Sequence, residues 1–416
     1  MPNSLALEYE RILIYLWGTM HDFPRAIAHV DGDCFFAAVE LLNRPELKAK
    51  AVCVCNRTDQ RGIVVSATYE ARPFGIRAGT PVFQAKKLCP QAIFLPSHFD
   101  RYGMTSHKLM QILRTFSPDV ETYSIDEAYL DLTGLRLLYR TNYQGIGAKI
   151  QTTVTQKLGI TVSVGIAPTK LLAKIASDFK KPAGLTIIPL KTISDFLRTI
   201  PIGKIPGVGR NTEALLQKYG LVTAYDLAHF PTMKKILGKR GLELQTELLG
   251  TPVYKVATNN ALPKSLSHTR TFPDFSSDEK YIFSFSLKLL LDLGMRLREF
   301  ELVAGEIDFF LLTKHFQSFG QKMKLSPSTN QDHIFIEAFK TIFLSIFRQN
   351  TLYRKAGFFF SDLQDTKGGE QHTIFESLEN PGKIQENHIY EALDSISRKY
   401  GKIGITRGIL IKFPLK

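Results

Sequence analysis

The chain has 416 residues, enough for roughly three domains. Hydrophobic residues make up 44% of it and charged residues 22%, values typical of globular proteins that argue against a disordered or membrane-embedded class. The net charge of +14 is unusual and indicates a polyanionic partner. An anionic membrane is the less favoured partner, because no apolar run reaches the roughly 18 residues of a spanning helix.

Cysteine usage indicates a reducing compartment. Four cysteines are too few for a disulfide framework in a chain of this length. Cys53 and Cys55 lie in an apolar, strand-like run without a second Cys or His pair at the spacing of a zinc site. We therefore interpret them as packing residues.

The first predicted core strand ends in an acidic pair. Residues 1–24 are interpreted as an N-terminal extension, because acidic residues precede its apolar run where a signal peptide carries positive charge. The strand begins near Ala26 and ends in Asp31, Gly32 and Asp33. The two aspartates are two positions apart, so an extended backbone would direct both carboxylates to the same side.

A helix is predicted directly after this pair, and it would carry Phe35 and Phe36 beside the acids. Two short strands joined by a polar turn follow and lead into Tyr69 and Arg72. These two residues are three positions apart, which places them on one face of a helix. A planar guanidinium beside a phenol hydroxyl suits a phosphate group.

A second acidic pair lies where two strand runs meet. After Glu127 the sequence alternates between apolar residues and residues such as Tyr129, the period of a half-buried strand. Asp126 and Glu127 are adjacent acids, which ionise together only beside a cation or a basic partner. Together with Asp31 and Asp33 they predict a cage of oxygen ligands for Mg²⁺. Paired ions of this kind lower the pKa of an attacking hydroxyl and hold a leaving phosphate in line.

Basic residues follow on the next predicted helix. A β-branched strand precedes it, and Pro168 opens it. Lys170 and Lys174 share one face, and Lys181 comes just after its end. This lysine face is next in sequence to the acidic core.

Residues 191–255 lose strand character and contain a Gly-x-Gly hairpin, Gly207 and Gly209, between helical stretches. Such a turn presents backbone N–H groups and a helix N-terminus to a DNA phosphate without reading sequence. A dinucleotide-binding loop is the weaker interpretation, because no strand leads into the hairpin and the third glycine is missing.

From about Pro263 the sequence predicts the element order β-α-β-β-α-β of a ferredoxin-like unit. In its third strand Lys322 and Lys324 alternate with apolar residues, so one sheet face would be apolar and the other basic. A flat basic face suits a duplex backbone, which makes both lysines candidate DNA-binding residues.

A polar segment follows the last strand of this unit and contains one isolated apolar pair, Ile374 and Phe375, preceded by Gln371. An apolar pair in a polar linker serves as a docking peptide or folds back onto its own domain. Both interpretations stay open at this point.

Four segments resemble the Y-family translesion DNA polymerases, in the family's order: 30–40 (VDGDCFFAAVE), 67–72 (ATYEAR), 124–131 (SIDEAYLD) and 173–182 (AKIASDFKKP). The resemblance runs from about residue 25 to the end. The catalytic half is most similar to bacterial DNA polymerase IV, whereas residues 353–363 and 396–401 look more like the catalytic subunit of DNA polymerase V.

The resemblance implies an α+β multidomain, right-hand polymerase fold with a ferredoxin-like palm and a ferredoxin-like little finger. The implied divisions are an N-terminal extension at 1–24, a palm at 25–40 and 98–190, fingers at 41–97, a helical thumb with a helix-hairpin-helix at 191–258, a little finger at 259–364 and a C-terminal tail at 365–416.

The resemblance also implies roles for individual residues. It gives the catalytic, metal-binding groups as Asp31, the Gly32 carbonyl, Asp126 and Glu127. It gives Phe36 as a steric gate that excludes a ribose 2′-hydroxyl. It gives the nucleotide contacts as Phe35, Tyr69, Arg72 and Lys181. It gives the duplex-phosphate hairpin as Gly207 and Gly209. It gives a sliding-clamp peptide as Gln371, Ile374 and Phe375.

The implied activity is template-directed DNA synthesis across lesions, with two Mg²⁺ ions for which Mn²⁺ can substitute. The implied partners are primer-template DNA, dNTPs, a sliding clamp and accessory subunits of the polymerase V type, and the implied location is the bacterial cytoplasm, at the nucleoid. Pocket shape alone discriminates a base pair by only about 1–3 kcal/mol. We therefore expect an error-prone polymerase without proofreading.

Two alternatives use parts of the same evidence. A nucleotide cyclase-like palm would explain residues 25–190 but would leave the hairpin and the C-terminal unit without a role. A non-enzymatic DNA-binding repair factor would explain the charge, but the intact Asp31, Asp126 and Glu127 argue against it.

Overall fold

A computed structural model describes residues 23–258 and 262–366, with residue 390, residues 392–396 and residue 399 of the C-terminal segment. The chain divides into two compact units, Met1–Asn260 and Ala261–Lys416. In the described part of the chain, no helix is both long and apolar enough to cross a bilayer.

The first unit mixes strands and helices until Ile187 and is helical after it. Its elements are β1 (Ile27–Gly32), α1 (Phe35–Leu41), β2 (Val52–Cys55), β3 (Val64–Ala67), α2 (Val82–Leu88), β4 (Ile93–Pro96), α3 (Phe99–Arg114), β5 (Val120–Thr122), β6 (Glu127–Asp131), α4 (Arg136–Tyr139), α5 (Tyr143–Leu158), β7 (Val162–Ala167), α6 (Lys170–Phe179), β8 (Leu185–Ile187), α7 (Ile193–Arg198), α8 (Arg210–Gln217), α9 (Ala224–His229) and α10 (Met233–Leu248). Short 3₁₀ helices include Tyr69–Phe74 and Ile202–Lys204.

The main sheet has the order β5-β6-β1-β7-β8, with β1 antiparallel to both of its neighbours. The strands β1, β5, β6 and β7 thus have the order of a ferredoxin-like sheet, as predicted for the palm. All six residues of β1 are buried, because helices cover both faces of the sheet. Ala28 and Val30 pack into the core that includes α3 and α5, whereas Ile27 packs into the core that includes α6.

A separate three-stranded sheet, β3-β2-β4, and the residues packed on it form an apolar cluster that holds three of the four cysteines. Cys53, Cys55 and Cys89 are buried in its apolar cluster, as expected of packing residues, and Cys34 is half-buried elsewhere. Burial raises the pKa of Cys53 to about 12 and the pKa values of Cys34 and Cys55 to about 11. All four thiols are free.

The second unit contains the predicted elements in the predicted order: β9 (Leu266–Ser276), α11 (Glu279–Glu299), β10 (Leu302–Thr313), β11 (Ser318–Thr329), α12 (Asp332–Ile346) and β12 (Tyr353–Asp365). Its core is rich in aromatic rings, with Phe309, Phe339 and Phe358 packed at ring-centroid distances of 4.6–5.2 Å. Aromatic pairs at such distances add to the free energy gained from burial.

The ferredoxin-like prediction for this unit is wrong in strand order. The observed order is β11-β10-β12-β9. The last strand of the unit, β12, therefore lies between the first two, β9 and β10. In the palm sheet, the corresponding place between the first two strands, β1 and β5, is taken by the third strand, β6. The two inner strands, β10 and β12, bury residues such as Phe309 and Phe360, whereas β9 and β11 are exposed at most positions. The strands with the most apolar residues therefore fill the centre, and the polar strands form the edges.

The described part of the C-terminal segment packs onto this unit through a buried ion cluster. The Arg298 guanidinium donates to both carboxylate oxygens of Asp394, at 2.7 and 2.9 Å, and to Asp332 at 2.9 Å. It also lies 5.1 Å from the ring of Tyr390. The predicted clamp peptide, residues 371–375, lies outside the described residues.

Candidate functional site

The strand pairing of β1 and β6 brings the predicted metal ligands together. Asp31 is directly opposite Glu127 in the antiparallel register, so both side chains leave the same sheet face. The Gly32 N–H donates to the Asp126 carbonyl at 3.0 Å, which holds Asp126 beside the end of β1. Side-chain ligand atoms of His29, Asp31 and Glu127 all lie within 4.8 Å of one another.

Three lysines of α6 and the loop after it face these acids. Lys181 Nζ lies 2.7 Å from Asp31 and 2.8 Å from Asp178. Lys174 Nζ lies 2.8 Å from Glu127, and Lys170 pairs with Glu121 on the neighbouring strand. The predicted lysine face therefore does meet the acidic edge of the sheet.

The lysines do not fully offset the cost of burying the acids. Burial raises the pKa of Asp31 more than Lys181 lowers it, and burial also raises the pKa of Asp126. Burial opposes ionisation of Glu127 as well, but hydrogen bonds from Asp31 and Lys174 bring its pKa below the ordinary value. A divalent cation would remove the remaining penalty, because it favours the charged form of all these carboxylates. The donor set of hard oxygens thus fits a divalent metal ion.

Asp33 does not join this cluster, contrary to the expectation from its spacing. The strand ends at Gly32, so the alternation of side chains does not reach Asp33. Its buried carboxylate instead accepts hydrogen bonds from the Ser163 hydroxyl at 2.8 Å, the Ala183 N–H at 2.8 Å and the Tyr69 hydroxyl at 3.3 Å. Asp33 therefore fixes the loop after Lys181 and one of the predicted nucleotide contacts.

Tyr69 and Arg72 form the predicted pair on one helix face. Their helix is a 3₁₀ helix, in which residues three apart are aligned. The Arg72 guanidinium lies 3.8 Å from the centre of the Tyr69 ring, a cation–π contact. Its position over the ring keeps the guanidinium at the pocket wall.

Phe35 and Phe36 begin α1 and differ in exposure. Phe35 is buried, and a Cβ at Gly32 would lie only 3.1 Å from its ring. Phe36 is half-buried and stacks on Tyr102, with ring centroids 4.4 Å apart and an angle of 14° between the planes. The lack of a side chain at Gly32 thus lets the Phe35 ring pack closely against the backbone at the acidic cluster.

A pocket of about 920 Å³ joins these groups. Every palm and fingers residue to which the family resemblance gave a role lines it: Asp31, Gly32, Phe35, Phe36, Tyr69, Arg72, Asp126, Glu127 and Lys181. Cys34, Ser66 and Lys204 also line it, and sequence reasoning gave them no role. His29 was missed too, because a histidine inside an apolar strand gives no signal separate from core packing.

His29 is buried behind the acids. Its Nδ1 is 2.7 Å from the Ser177 hydroxyl, and its Nε2 has no hydrogen-bond partner in the described structure. The pKa of His29 lies well below the ordinary value. Burial is the largest cause, and the positive charges of Lys174, Lys181 and Lys170 lower the pKa further. The ring is therefore neutral near pH 7.

The predicted hairpin lies between the 3₁₀ helix Ile202–Lys204 and α8. Gly207 has φ +90°, a conformation that favours glycine, and its carbonyl accepts from Arg240 at 3.2 Å. A Cβ at Gly209 would meet nothing within 4 Å. The turn is therefore open at Gly209, just before the N-terminus of α8.

In the second unit, the alternation predicted around Lys322 and Lys324 is present. Both lysines are exposed on β11, with Met323 and Leu325 turned toward the core. The face is not uniformly basic, however, because β10 places Asp308 opposite Lys322 and Glu306 opposite Lys324. Lys322 also forms an ion pair with Glu306. The flat basic face expected there is thus a mixed face.

Known proteins match this chain over nearly its whole length. Residues 30–178 match the family model of the impB/mucB/samB family, residues 263–374 match that family's C-terminal domain, and residues 191–221 match the IMS family HHH motif. DNA polymerase IV 1 of Bacillus subtilis (strain 168) is 31% identical over 392 residues, which cover 93% of this chain and 94% of the relative.

DNA polymerase IV of Dehalococcoides mccartyi (strain ATCC BAA-2100 / JCM 16839 / KCTC 5957 / BAV1) is 34% identical over 393 residues, which cover 92% of this chain and 97% of the relative. A solved Y-family DNA polymerase chimera of Dbh and Dpo4 superposes with a TM-score of 0.71 at 28% identity, over 82% of this chain and 99% of the chimera. This chain belongs to the Y family of DNA polymerases.

As a Y-family polymerase, the chain is a DNA-directed DNA polymerase of the translesion class with a right-hand architecture. The matched HHH motif covers the Gly207 hairpin, in agreement with the helix-hairpin-helix predicted there. The cyclase-like and non-enzymatic alternatives are not favoured. A solved insertion ternary complex of Dbh DNA polymerase is also similar, with a TM-score of 0.55 at 27% identity over 82% of this chain and 99% of that one.

Proposed function

We propose that the pocket is the nucleotidyl-transfer centre of this polymerase, and that Asp31, Asp126, Glu127 and the Gly32 carbonyl hold two Mg²⁺ ions, for which Mn²⁺ can substitute. The observation that carries the proposal is the cross-strand pairing of Asp31 with Glu127, next to Asp126, at one edge of the pocket. When bound, the metal ions activate the primer 3′-hydroxyl and stabilise charge on the transferring phosphate. Hard oxygen ligands of this kind suit Mg²⁺.

The basic side chains bind and orient the triphosphate of the incoming dNTP. Lys181 has a compact charge at the pocket wall, where Asp31 and Asp178 hold it. Arg72 presents its flat guanidinium from the ring of Tyr69, whose hydroxyl is fixed on Asp33. Where Asp31 serves as a metal ligand, Lys181 would be free to turn its ammonium from Asp31 toward a phosphate oxygen.

The aromatic residues at the start of α1 form the sugar side of the pocket. Phe35 packs under the pocket floor, and Phe36 presents its half-buried ring as the steric gate for the 2′ position of the sugar. A ribose hydroxyl would overlap this ring, whereas a deoxyribose would not. Phe36→Ala should therefore admit ribonucleotides.

The remaining parts of the chain bind DNA and partner proteins. We assign residues 25–40 and 98–190 to the palm, 41–97 to the fingers, 191–258 to the thumb and 259–364 to the little finger, with 1–24 as an extension and 365–416 as a tail. Backbone N–H groups at Gly207 and Gly209 bind duplex phosphates, and Lys322 and Lys324 contact the backbone of the primer-template. A sliding clamp binds the peptide that contains Gln371, Ile374 and Phe375. Accessory subunits of the polymerase V type assist the polymerase activity. The enzyme works in the bacterial cytoplasm, at the nucleoid.

Primer extension tests the proposed centre. Purified chain, Mg²⁺, dNTPs and a primed template with or without an abasic site would be compared with Asp126→Ala and with the control Asp119→Asn, which changes an exposed acid of the same unit. We expect synthesis past the lesion by the wild type and the control, and none by Asp126→Ala. Full activity of Asp126→Ala would contradict the proposal.

Metal binding needs a readout of its own. Electron paramagnetic resonance titration of Mn²⁺ into the chain with primed DNA and a non-hydrolysable dNTP should give two bound ions per chain. Glu127→Gln should lower that number or weaken the binding. An unchanged titration curve would remove Glu127 from the ligand set.

A further inference from the structure

One face of the sheet in the second unit carries a groove of about 560 Å³. Its lining comes from β10, β11 and β12 and includes Asp308, Phe310, Lys322 and Phe359. Side chains alternate along a strand, so these residues point away from the core that holds neighbours such as Phe309. The volume of the groove lies in the range of small-molecule sites.

Glycines leave Phe310 without side-chain neighbours on the adjacent strands. In the antiparallel register, Phe310 lies opposite Gly320 of β11 and Gly357 of β12. A Cβ at Gly357 would lie only 2.5 Å from Cε1 of the Phe310 ring, so the ring occupies the space that a side chain would need. The ring therefore forms part of the floor of the groove.

A second ring enlarges this aromatic surface. Phe359 lies two residues after Gly357 on the same face of β12, and it is 38% exposed. Its ring centroid is 5.9 Å from that of Phe310, with an angle of 30° between the planes. Packing over a glycine stabilises a sheet, which explains Phe310, whereas Phe359 leaves much of its apolar surface in water. Accessible, nearly parallel rings are what a stacked nucleobase needs.

The groove also contains an acceptor without a partner. Asp308 lies opposite Phe359 on one neighbouring strand and opposite Lys322 on the other. In the described part of the chain, its carboxylate accepts no hydrogen bond. A carboxylate beside a stacking surface can accept from the exocyclic amino group of a base, as carboxylates do from N4 of cytosine. Thymine has a carbonyl oxygen at that position, which would repel the carboxylate.

Lysines flank the rings, as expected of a site for a negatively charged strand. Lys322 lines the groove, and Lys355 Nζ lies 5.8 Å from the centre of the Phe310 ring. The chain as a whole has a net charge of +14. A peptide groove is lined mainly by apolar side chains, whereas polar residues such as Asp308 and Ser318 line this one beside the rings. The lining therefore favours DNA over a peptide.

We propose that this groove binds an unpaired base of single-stranded DNA that carries an amino group, such as cytosine. The base stacks on Phe310 and Phe359, its amino group donates to Asp308, and the adjoining phosphates lie toward Lys322 and Lys355. The inference goes beyond the proposed contact of Lys322 with the DNA backbone, because ring stacking requires a base that is free of its own stack. It does not depend on the metal site of the first unit.

The role of the amino group is tested by fluorescence anisotropy. Labelled oligo(dC) and oligo(dT) are titrated with the full-length chain in EDTA, so that only binding is measured. We expect a lower Kd for oligo(dC) than for oligo(dT). Asp308→Asn should remove this preference, because an amide can pair with either base. Equal Kd values of the two oligonucleotides for the wild type would overturn the proposal.

Phe310→Leu tests the stacking. Removal of a stacked ring weakens binding of a single strand by about 5–150-fold. Leucine keeps an apolar contact, so the Kd for oligo(dC) should rise by roughly fivefold, the lower end of that range. Phe316→Leu is the matched control, because Phe316 is 69% exposed in the same unit and does not line the groove. An unchanged Kd for Phe310→Leu, in a chain that circular dichroism shows to be folded, would also overturn the proposal.

Photocrosslinking locates the bound base. An oligonucleotide that contains iodocytosine should form adducts on the peptides with Phe310 or Phe359, which mass spectrometry identifies, and adducts confined to other peptides would refute the inference. Lys324→Gln in the same series tests the backbone contacts of the proposed function separately, and it should weaken both oligonucleotides equally. If Lys324→Gln binds like the wild type and Phe310→Leu does not, the backbone contact fails and the base site stands.

Discussion

Replacing Asp33 with asparagine tests whether this acid is a structural anchor or a metal ligand. The carboxylate is buried and accepts hydrogen bonds from Ser163, Ala183 and Tyr69 at 2.8, 2.8 and 3.3 Å. Hydrogen bonds to a charged group are worth about 1.5–3 kcal/mol each, and neutral ones about 0.5–1.5 kcal/mol. Asparagine has the same shape without the charge, but it has one accepting oxygen where aspartate has two, and Ala183 donates to a different oxygen from Ser163 and Tyr69. With the amide oxygen facing Ser163 and Tyr69, the bond from Ala183 is lost and the other two weaken by about 1 kcal/mol each, so the free energy of unfolding should fall by about 3–5 kcal/mol.

The kinetic effect of Asp33→Asn follows from what the side chain holds. Tyr69 and the loop at Ala183, two residues after Lys181, would become less ordered, so KM for dNTP should rise while turnover at saturating dNTP persists. Urea unfolding gives the stability change, from the midpoint at constant slope. Asp119→Asn, at an exposed position, is the control and should shift stability by less than about 0.5 kcal/mol.

The opposite pattern would refute this reasoning. If Asp33 were a metal ligand, Asp33→Asn would abolish turnover and leave stability nearly unchanged, because a buried acid at a metal site costs free energy of folding in the absence of the ion. Such a result would restore the expectation drawn from the two-residue spacing of Asp31 and Asp33.

Four further substitutions test the other assigned parts. Glu127→Gln should abolish synthesis while primed DNA still binds in a mobility-shift assay, because the charge is lost and the shape is kept; weaker DNA binding would point to misfolding instead. Gly207→Ala should weaken duplex binding and cost about 1–2 kcal/mol of stability, because alanine is strained at φ +90°; wild-type behaviour in both assays would refute it. Lys324→Gln should lower the salt slope of DNA binding by about 0.9, and Lys322→Gln by less, since Glu306 already pairs with Lys322; equal slopes would contradict this difference.

The acidic site could be predicted from the sequence because short-range patterns define it. Asp31 and Glu127 each lie at the end of a strand that could be predicted from the sequence, the second of them by its alternation, and antiparallel pairing then makes them neighbours. Asp33 shows the limit of the same argument, because the alternation applies only as far as the strand continues. The strand ends at Gly32, a boundary that no single-residue pattern marks.

Strand order in the second unit could not be predicted from the sequence pattern, for a different reason. The six elements and their types follow from local periodicity, but the choice of the central strands is made by long-range burial. The strands β10 and β12 have the most buried residues, and they lie side by side at the centre of the sheet. Each of them therefore has a neighbouring strand along both edges. Likewise, only cross-strand register reveals that Asp308 and Glu306 face the two predicted DNA-binding lysines.

The protection of the thiols makes this enzyme a ready subject for site-specific labelling. With pKa values of about 11 to 12, Cys34, Cys53 and Cys55 are almost entirely protonated near pH 7, and the thiolate is the species that reacts with maleimides. Cys89 is buried as well. Two cysteines introduced at exposed positions could therefore carry a dye pair in the otherwise natural sequence. Distances between units could then be followed by fluorescence during nucleotide addition, without a cysteine-free variant of altered packing.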